Sequence, residues 1–129
     1  MHGSLNQPEE FNYITDFSGA AKTFSLLDQS ICFIGHTHAA GIFIQDKEQR
    51  IDYLTPGRLK LKKDYRYIIN VGSVGQPRDG NSQASLCILD TKSQEVSLKR
   101  ISYDIKSAQE KIIAAGLPSF LATRLSQGR

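Results

Sequence analysis

The stretch Ile31-Cys32-Phe33-Ile34-Gly35-His36-Thr37-His38 decides how this chain is organised. Its short apolar run is typical of a strand that is buried on both faces. Gly35 ends the run and permits a tight turn of the backbone. His36 and His38 therefore follow the carboxyl end of a strand, which is where ligands tend to bind in α/β sheets.

The two histidines of this stretch are a candidate metal-binding pair. In an extended chain His36 and His38 point to the same side, and Thr37 points away. Neutral imidazole is the commonest metal-ligating side chain, so this spacing at a strand end favours a metal site. Two surface or hydrogen-bonded histidines in a turn give the same pattern, and the spacing by itself leaves that alternative open.

Length and composition set the broad class of the protein. The 129 residues are 40% hydrophobic and 22% charged, which favours one globular domain over residues 1–129. No apolar run approaches the length of a membrane span, and the net charge of +3 does not indicate nucleic acid binding. Cys32 and Cys87 lie among apolar neighbours, which favours free thiols and predicts a cytoplasmic protein.

The hydrophobic pattern predicts helices first, then about seven strands, then helices. Pro8 begins the first helix, and Ser18 caps a second helix in which Ala21, Phe24 and Leu27 form one stripe. The strands are expected at 31–34, 41–45, 51–54, 59–62, 65–71, 84–89 and 95–103. This order argues for a layered α+β fold with a mixed or mostly antiparallel sheet.

Local signals mark turns and element ends in the second half of the chain. Thr55–Arg58 favours a type II turn, and a bulge near Lys99-Arg100 would keep the end of the last strand facing the core. Asp104 is a cap for a helix that ends at Gly116, and Pro118 opens the final helix. These signals leave a single unbroken domain from the histidines to the end of the chain.

A basic cluster formed by Lys60, Lys62 and Lys63 lies on and after the strand at 59–62. Leucines alternate with lysines here, so one face of the strand is expected to be exposed to solvent. The cluster could attract an anionic substrate, but charge runs are more often a solvated face, and the sequence favours that second interpretation.

Three segments in matching order carry a resemblance to a known family. Gly35–His38 resembles the last signature of the calcineurin-like metallophosphoesterases, and His2-Gly3-Ser4 resembles the His-Gly segment that precedes it. Asn70–Arg78 resembles the Asn-x-Gly-Ser-x-Gly-x-Pro-Arg stretch of the small bacterial and archaeal phosphodiesterase branch. The end of the chain from Gly116 is also similar to the end of that branch, so the resemblance covers nearly the whole chain.

The carboxylate motifs with which members of this family begin are absent from the sequence. No aspartate has a histidine two positions on, no Gly-Asp-x-x-Asp occurs, and the one Gly-Asn pair, Gly80-Asn81, is followed by Ser82. The chain therefore resembles the C-terminal half of such an enzyme. The resemblance implies part of a four-layer α-β-β-α sandwich in which helices lie outside two packed sheets.

The resemblance also implies phosphoester hydrolysis at a site with two divalent metal ions. By position, His2 and His36 would bind one ion and His38 the other, with manganese, zinc, iron, nickel and magnesium as candidate ions. No further catalytic residue is implied. Three imidazoles divided between two ions hold them weakly, so we expect the chain by itself to be inactive or nearly so.

The same resemblance places Gly72, Ser73 and Arg78 beside the substrate, a phosphoester small molecule or a nucleotide. Other roles stay open at these positions, because the glycines also suit a plain tight connection and Arg78 an ion pair, for instance with Asp79. The alternative function is a non-catalytic protein-interaction or metal-binding module derived from the fold.

The absent half leads us to expect association, either as a homo-oligomer or with that half. An apolar sheet face left in water costs about 25 cal/mol per Å², and large patches of this kind are rare on monomers. The candidates to line such a face are Ile31, Phe33, Ile42, Ile44, Ile68 and Val71.

Overall fold

The chain folds as a mixed α/β unit in which three helices accompany two sheets, seen in a computed structural model that describes residues 1–55 and 57–129. Pro56 lies outside the described residues, and so does the type II turn expected at Thr55–Arg58. The helices are α1 Phe17–Leu26, α2 Ile105–Ala114 and α3 Ser119–Gln127, preceded by a 3-10 turn at Pro8–Glu10. The strands are β1 Ile31–Ile34, β2 Gly41–Gln45, β3 Ile51–Leu54, β4 Arg58–Lys60, β5 Arg66–Asn70, β6 Ala84–Asp90 and β7 Glu95–Ile101.

The first sheet positions the histidine segment. Its strand order is β1-β5-β2-β3. β1 runs parallel to β5, with Ile34 opposite Asn70 at their carboxyl ends. β2 is antiparallel to both β5 and β3. Because β1 and β5 end at the same edge of the sheet, the loops that follow Ile34 and Asn70 start side by side.

The second sheet is antiparallel, with the order β4-β7-β6. The ladder between β6 and β7 continues without interruption from Asp90 opposite Glu95 to Ala84 opposite Ile101. The bulge predicted near Lys99-Arg100 was therefore wrong. Because the pairing is regular, successive side chains of β7 alternate between the two faces of the sheet, and Ile101 faces outward with 48% of its surface exposed.

Two hydrophobic cores lie on the two faces of the first sheet. Helix α1 covers one face, where Phe24 is completely buried against residues that include Cys32 and Ile68. The other face packs on the second sheet, where Ile42 and Ile69 belong to the same core as Val96 and Leu98. This helix-sheet-sheet layering confirms the predicted fold class.

The start of α1 differs from the prediction by two residues. Asp16, and not Ser18, is the N-cap, because its carboxylate accepts a hydrogen bond from the backbone N–H of Gly19 at 2.7 Å. The buried stripe also differs from the prediction at one position, because Ala20 and not Ala21 joins Phe24 on the buried face. At α2 the predicted cap is confirmed, since Asp104 accepts from the N–H of Ser107 at 2.9 Å.

The apolar face that we expected to be uncovered is covered within the chain. Ile42 and Ile68 are 1% and 0% exposed. Ile31, Phe33, Ile44 and Val71 are half-buried against the core between the two sheets. The prediction that these residues form an exposed face was wrong, because α1 covers Ile68 and a second sheet from the same chain, β4-β7-β6, packs on the others. The expected association stays a prediction without this basis.

Both cysteines are free thiols, as predicted, and burial raises the pKa of each. Within residues 1–55 and 57–129, no helix is both long and apolar enough to cross a membrane.

Replacing Phe24 by alanine is expected to lower the free energy of unfolding by about 3–5 kcal/mol, because it empties a fully buried site under α1. Phe120→Ala is the matched control, since that ring is 62% exposed, and a change within about 0.5 kcal/mol is expected. Urea denaturation followed by circular dichroism measures both. Equal losses for the two variants would show that the core is not where the structure places it.

Candidate functional site

The loop that follows β1, here called the histidine loop (Gly35–Ala40), has an unusual backbone. His36 and His38 have φ angles of +66° and +61°, in the left-handed region that residues other than glycine rarely adopt. The N–H of Thr37 donates to the carbonyl oxygen of Gly35 at 2.8 Å and closes a tight turn around His36. The extended backbone predicted here was therefore wrong, but His36 and His38 still line one cleft and Thr37 lines another, as the prediction had it.

The buried side chain of Asn70 holds the histidine loop in this shape. Its amide nitrogen donates to the carbonyl oxygen of Gly35 at 3.1 Å and to the hydroxyl oxygen of Thr37 at 2.7 Å. Its amide oxygen accepts from the backbone N–H of Gly72 at 3.1 Å. Asn70 is 5% exposed, so one desolvated amide ties the loop after β1 to the loop after β5.

The far end of the histidine loop is anchored by Asp79. Its carboxylate accepts from the N–H of Ala40 at 3.0 Å and pairs with Arg100 of β7. Burial acts to raise the pKa of Asp79, but the hydrogen bonds from Arg100 and Ala40 outweigh it and hold that pKa below its ordinary value. The ion pair between Arg78 and Asp79 that the sequence left open is replaced by the pair with Arg100.

Two imidazoles meet at the start of the histidine loop. Nδ1 of His36 lies 2.8 Å from Nε2 of His2. His2 is held beside β1, because its carbonyl oxygen accepts from the N–H of Gly35 at 2.9 Å. At 2.8 Å the two rings form an N–H···N hydrogen bond, in which one ring donates and the other accepts. Two nitrogens in tetrahedral coordination, each about 2.1 Å from an ion, are about 3.4 Å apart, so the rings would have to separate slightly to share a cation.

The surroundings of His36 favour its neutral form. The ring of Tyr13 stacks on the His36 ring with the centroids 4.5 Å apart. Loss of hydration, then the nearby His2, His38 and Arg78, lower the pKa of His36 below its ordinary value. A neutral imidazole has a free lone pair, which is the form that binds metal ions.

His38 lies on the same cleft but is turned toward another partner. Its Nδ1 atom is 2.7 Å from the carbonyl oxygen of Gln76. A carbonyl oxygen can only accept, so Nδ1 carries the proton and Nε2 is left with a free lone pair. Metal-ligating histidines commonly have this arrangement, in which the second ring nitrogen donates to a carbonyl.

The cleft between these side chains has a volume of about 400 Å³ and is lined by residues that include His2, His36, His38, Gly72 and Ser73. Across the part of the chain that the structure describes, no three His, Cys, Asp or Glu side chains come close enough to share an ion. The side chains that could contribute to a metal site here are therefore the pair His2 and His36, with His38 to the side.

The loop after β5 approaches this cleft closely. Gly72 has a φ of +76°, and a Cβ there would lie 2.8 Å from the Cβ of Ser85, so no larger residue fits. Ser73 accepts from the N–H of Gln76 at 3.0 Å through its hydroxyl oxygen. Arg78 is exposed and donates to the side-chain oxygen of Gln76 at 3.0 Å, at the side of the cleft and not among its lining residues.

A second, more apolar cleft lies on the other side of Thr37 and Asn70. It has a volume of about 310 Å³, and its lining includes the rings of Phe17, Phe43 and Tyr53. The Tyr53 ring lies over Gly41, where a Cβ would collide with it. This cleft could receive an apolar part of a molecule held at the histidines.

Sequence reasoning missed three residues of this site. Asn70, Tyr13 and Gln76 orient the histidine loop, stack on His36 and bind His38. Asn70 begins the segment that carries the family resemblance and is the polar residue that ends the apolar run before Gly72, but neither signal gave it this role. The other two contacts depend on how distant loops meet.

Asn70→Ala is expected to lower the free energy of unfolding by about 2–4 kcal/mol, because it leaves buried polar groups without partners. The amide of Gly72 should exchange its hydrogen faster in this variant, since its acceptor is gone. Asn12→Ala is the control: that side chain is exposed and makes its bond to Glu10 at 2.9 Å. Hydrogen exchange and urea denaturation test this, and unchanged protection of Gly72 would contradict the role given to Asn70.

No family model matches the chain. A curated relative, the uncharacterized protein MJ0912 of Methanocaldococcus jannaschii, is 38% identical over an alignment of 129 positions. The alignment covers 99% of this chain and 50% of the relative. The crystal structure of a metallophosphoesterase from Sphaerobacter thermophilus matches with a TM-score of 0.89 and 38% identity, over 100% of this chain and 54% of that one.

A third match shows the fold alone. It is the hypothetical protein PH1004 from Pyrococcus horikoshii OT3, with a TM-score of 0.67 and 16% identity over 100% of this chain and 45% of that one. The chain thus spans about half the length of the proteins it matches. The resemblance found in the sequence is confirmed: the chain has a metallophosphoesterase-like fold and corresponds to the C-terminal half of the Sphaerobacter protein.

Proposed function

We propose that this chain carries the histidine half of a two-metal phosphoesterase site, which in its complete form hydrolyses phosphomonoesters or phosphodiesters. The observation that carries the proposal is the 2.8 Å contact between His2 and His36 beside the loop after β5, in a chain with a metallophosphoesterase-like fold. Bound divalent ions, with manganese, zinc, iron, nickel and magnesium as candidates, would polarise the phosphoryl oxygens and make water a stronger nucleophile.

The residues of this chain would bind and orient. His2 and His36 supply nitrogens to one ion, and His38 supplies Nε2 to the other while Gln76 fixes its ring. Tyr13 keeps the His36 ring from rotating by stacking on it. These contacts set the direction of each lone pair before an ion arrives.

The substrate would lie against the loop after β5. Gly72 and Ser73 line the histidine cleft, and the Ser73 hydroxyl can donate to a phosphoryl oxygen while it accepts from Gln76. Arg78 stands at the side, where its charge attracts an anionic ester. The apolar cleft with Phe17 and Tyr53 would hold a leaving group, or the base of a nucleotide.

Hydrolysis needs ligands that this sequence lacks. Two imidazoles in contact and a third nearby carry no negative charge to offset two divalent ions, so the chain alone binds metal weakly. A carboxylate-bearing half that packs beside His2 would complete the site. Association with such a half, or with another copy of the chain, belongs to the same proposal.

A metal-binding or protein-interaction module without hydrolysis is the second candidate. The observation in its favour is that the chain closes both of its hydrophobic cores with its own residues, so the fold does not require a second half in order to bind a partner. Loss of catalysis would leave the histidine pair intact, because His2 and His36 meet through backbone contacts that need no metal.

A hybrid enzyme tests the proposed function. This chain replaces the matching half of the Sphaerobacter metallophosphoesterase, and manganese-dependent hydrolysis of a chromogenic phosphodiester is measured. His36→Ala should lower the rate by roughly 100-fold or more, since loss of even an outer partner of a metal site costs 10–100-fold. Gln49→Ala is the matched control, because Gln49 also has a left-handed φ, +65°, and lies exposed in the turn between β2 and β3, outside the histidine cleft.

The hybrid must first be shown to be folded by circular dichroism. A folded hybrid with no activity, or one whose activity survives His36→Ala, would count against the proposal and for the second candidate.

The isolated chain is expected to bind Co²⁺ weakly and to hydrolyse the same phosphodiester only at background rates. His2→Ala and His36→Ala should each abolish the visible absorption of bound Co²⁺, because each removes half of the paired ligands, whereas Gln49→Ala should leave it unchanged. Efficient turnover by the isolated chain that His36→Ala abolishes would show that the site needs no carboxylates. Co²⁺ binding unaffected by both histidine variants would place the ion elsewhere.

A further inference from the structure

A basic pocket lies at the end of β1 opposite to the histidine loop. It has a volume of about 500 Å³ and borders on Ser30 and Ile31, at the amino end of β1. Its lining includes four lysines: Lys60 of β4, Lys62 and Lys63 of the following loop, and Lys92 of the turn between β6 and β7. We propose that this pocket binds a compact polyanion, a ligand with two or more linked phosphate groups.

The positive charge of the pocket exceeds the negative charge beside it. Asp64 is the one carboxylate among the described residues that line the pocket. Asp90 lies nearby, where it accepts from the N–H groups of Lys92 and Ser93 at 2.9 and 3.1 Å and interacts with the charge of Lys60. Within the described ranges none of the four lysines forms an ion pair with a carboxylate. Four positive charges thus face two negative ones, and a net positive charge is left to act on a ligand.

The backbone that carries these lysines is fixed. The N–H of Lys62 donates to the hydroxyl of Tyr67 at 2.8 Å, and Tyr67 is 2% exposed. The N–H of Leu61 donates to the carbonyl oxygen of Gln94 at 2.8 Å, which joins the end of β4 to the turn before β7. Two segments distant in sequence are thus held together, and a ligand need not order them on binding.

The lysine side chains have local contacts as well. Lys60 donates to the carbonyl oxygen of Ser93 and so points toward the β6–β7 turn. The ammonium of Lys62 lies 5.1 Å from the centre of the Tyr65 ring. Ser93 and Tyr65 line the same pocket, so both contacts hold the lysine side chains against its wall. Lysines act on phosphate as point charges, and several of them around one cavity favour a ligand with several charges.

The shape of the pocket selects a small ligand. Its volume of about 500 Å³ lies in the range of small-molecule sites, about 300–1,000 Å³. A single strand of nucleic acid instead needs a groove with positive charge along several nucleotides. The sequence favoured a solvated strand face for Lys60, Lys62 and Lys63, and the structure adds Lys92 from a distant turn and a concave surface between them.

Isothermal titration of the whole chain with sodium tripolyphosphate, in low salt with EDTA, tests the proposal. One tripolyphosphate per chain is expected, with an affinity that falls as salt is added. The double variant Lys62→Gln/Lys92→Gln should have an affinity for tripolyphosphate that is lower by about tenfold. The control Lys22→Gln/Lys106→Gln changes the net charge equally at exposed positions of α1 and α2 and should bind as the unmodified chain does.

Further ligands distinguish the sources of the phosphates. ATP that binds as tripolyphosphate does indicates a free oligophosphate, and ATP that binds more tightly, with competition by adenosine, indicates a nucleoside triphosphate. Binding in the presence of EDTA requires no metal ion, so this outcome does not depend on the proposed phosphoesterase function.

Three results would overturn the proposal. They are no binding of tripolyphosphate by the unmodified chain, equal weakening in the control double variant, and affinity for single-stranded DNA that exceeds that for tripolyphosphate and grows with strand length. If Lys62→Gln/Lys92→Gln fails to fold by circular dichroism, the single variant Lys63→Gln, at an exposed loop position, replaces it with the same expected direction.

Discussion

The side-chain amide of Asn70 is the contact on which the candidate site depends. It lies at the end of β5, and the parallel pairing of β5 with β1 brings it beside the histidine loop. From there it binds Gly35, Thr37 and Gly72 at once. Left-handed backbone at a residue other than glycine costs roughly 1–3 kcal/mol and persists only where its surroundings enforce it. The hydrogen bonds of Asn70 to Gly35 and Thr37 hold the backbone on both sides of His36. The carboxylate of Asp79 holds the backbone after His38 through the N–H of Ala40.

The distribution of carboxylates explains why the site is short of ligands. Several aspartates are engaged in contacts that stabilise the fold. Asp16 and Asp104 cap helices, Asp90 closes a turn, and Asp46 and Asp79 pair with arginines. A carboxylate committed to backbone N–H groups or to a guanidinium is not available to a cation without breaking those bonds. The histidine cleft therefore has no carboxylate among its described lining residues.

Features set by neighbouring residues could be predicted from the sequence, and those set by distant contacts could not. Strand β1, the β2–β3 hairpin and the cap at Asp104 follow from local patterns and are present as expected. The bulge near Lys99-Arg100 was wrong because strand pairing, not the order of apolar residues, fixes which face Ile101 takes. The meeting of His2 with His36 came from a family resemblance, since no local pattern links residues 34 positions apart.

Stability and function are separable in this chain because they depend on different quantities. Folding needs buried apolar area, and the two cores around the first sheet provide it from residues of this chain. Metal binding needs the right number of ligands at one point, and two imidazoles supply only some of these ligands.

In the order β1-β5-β2-β3, β1 is an edge strand. Met1 bonds to Phe33 of β1, and His2 bonds to Gly35 just after the strand. A segment that extended the sheet at this edge would run directly toward His2 and His36. The same strand thus closes the core on one side and leaves the site open to completion on the other.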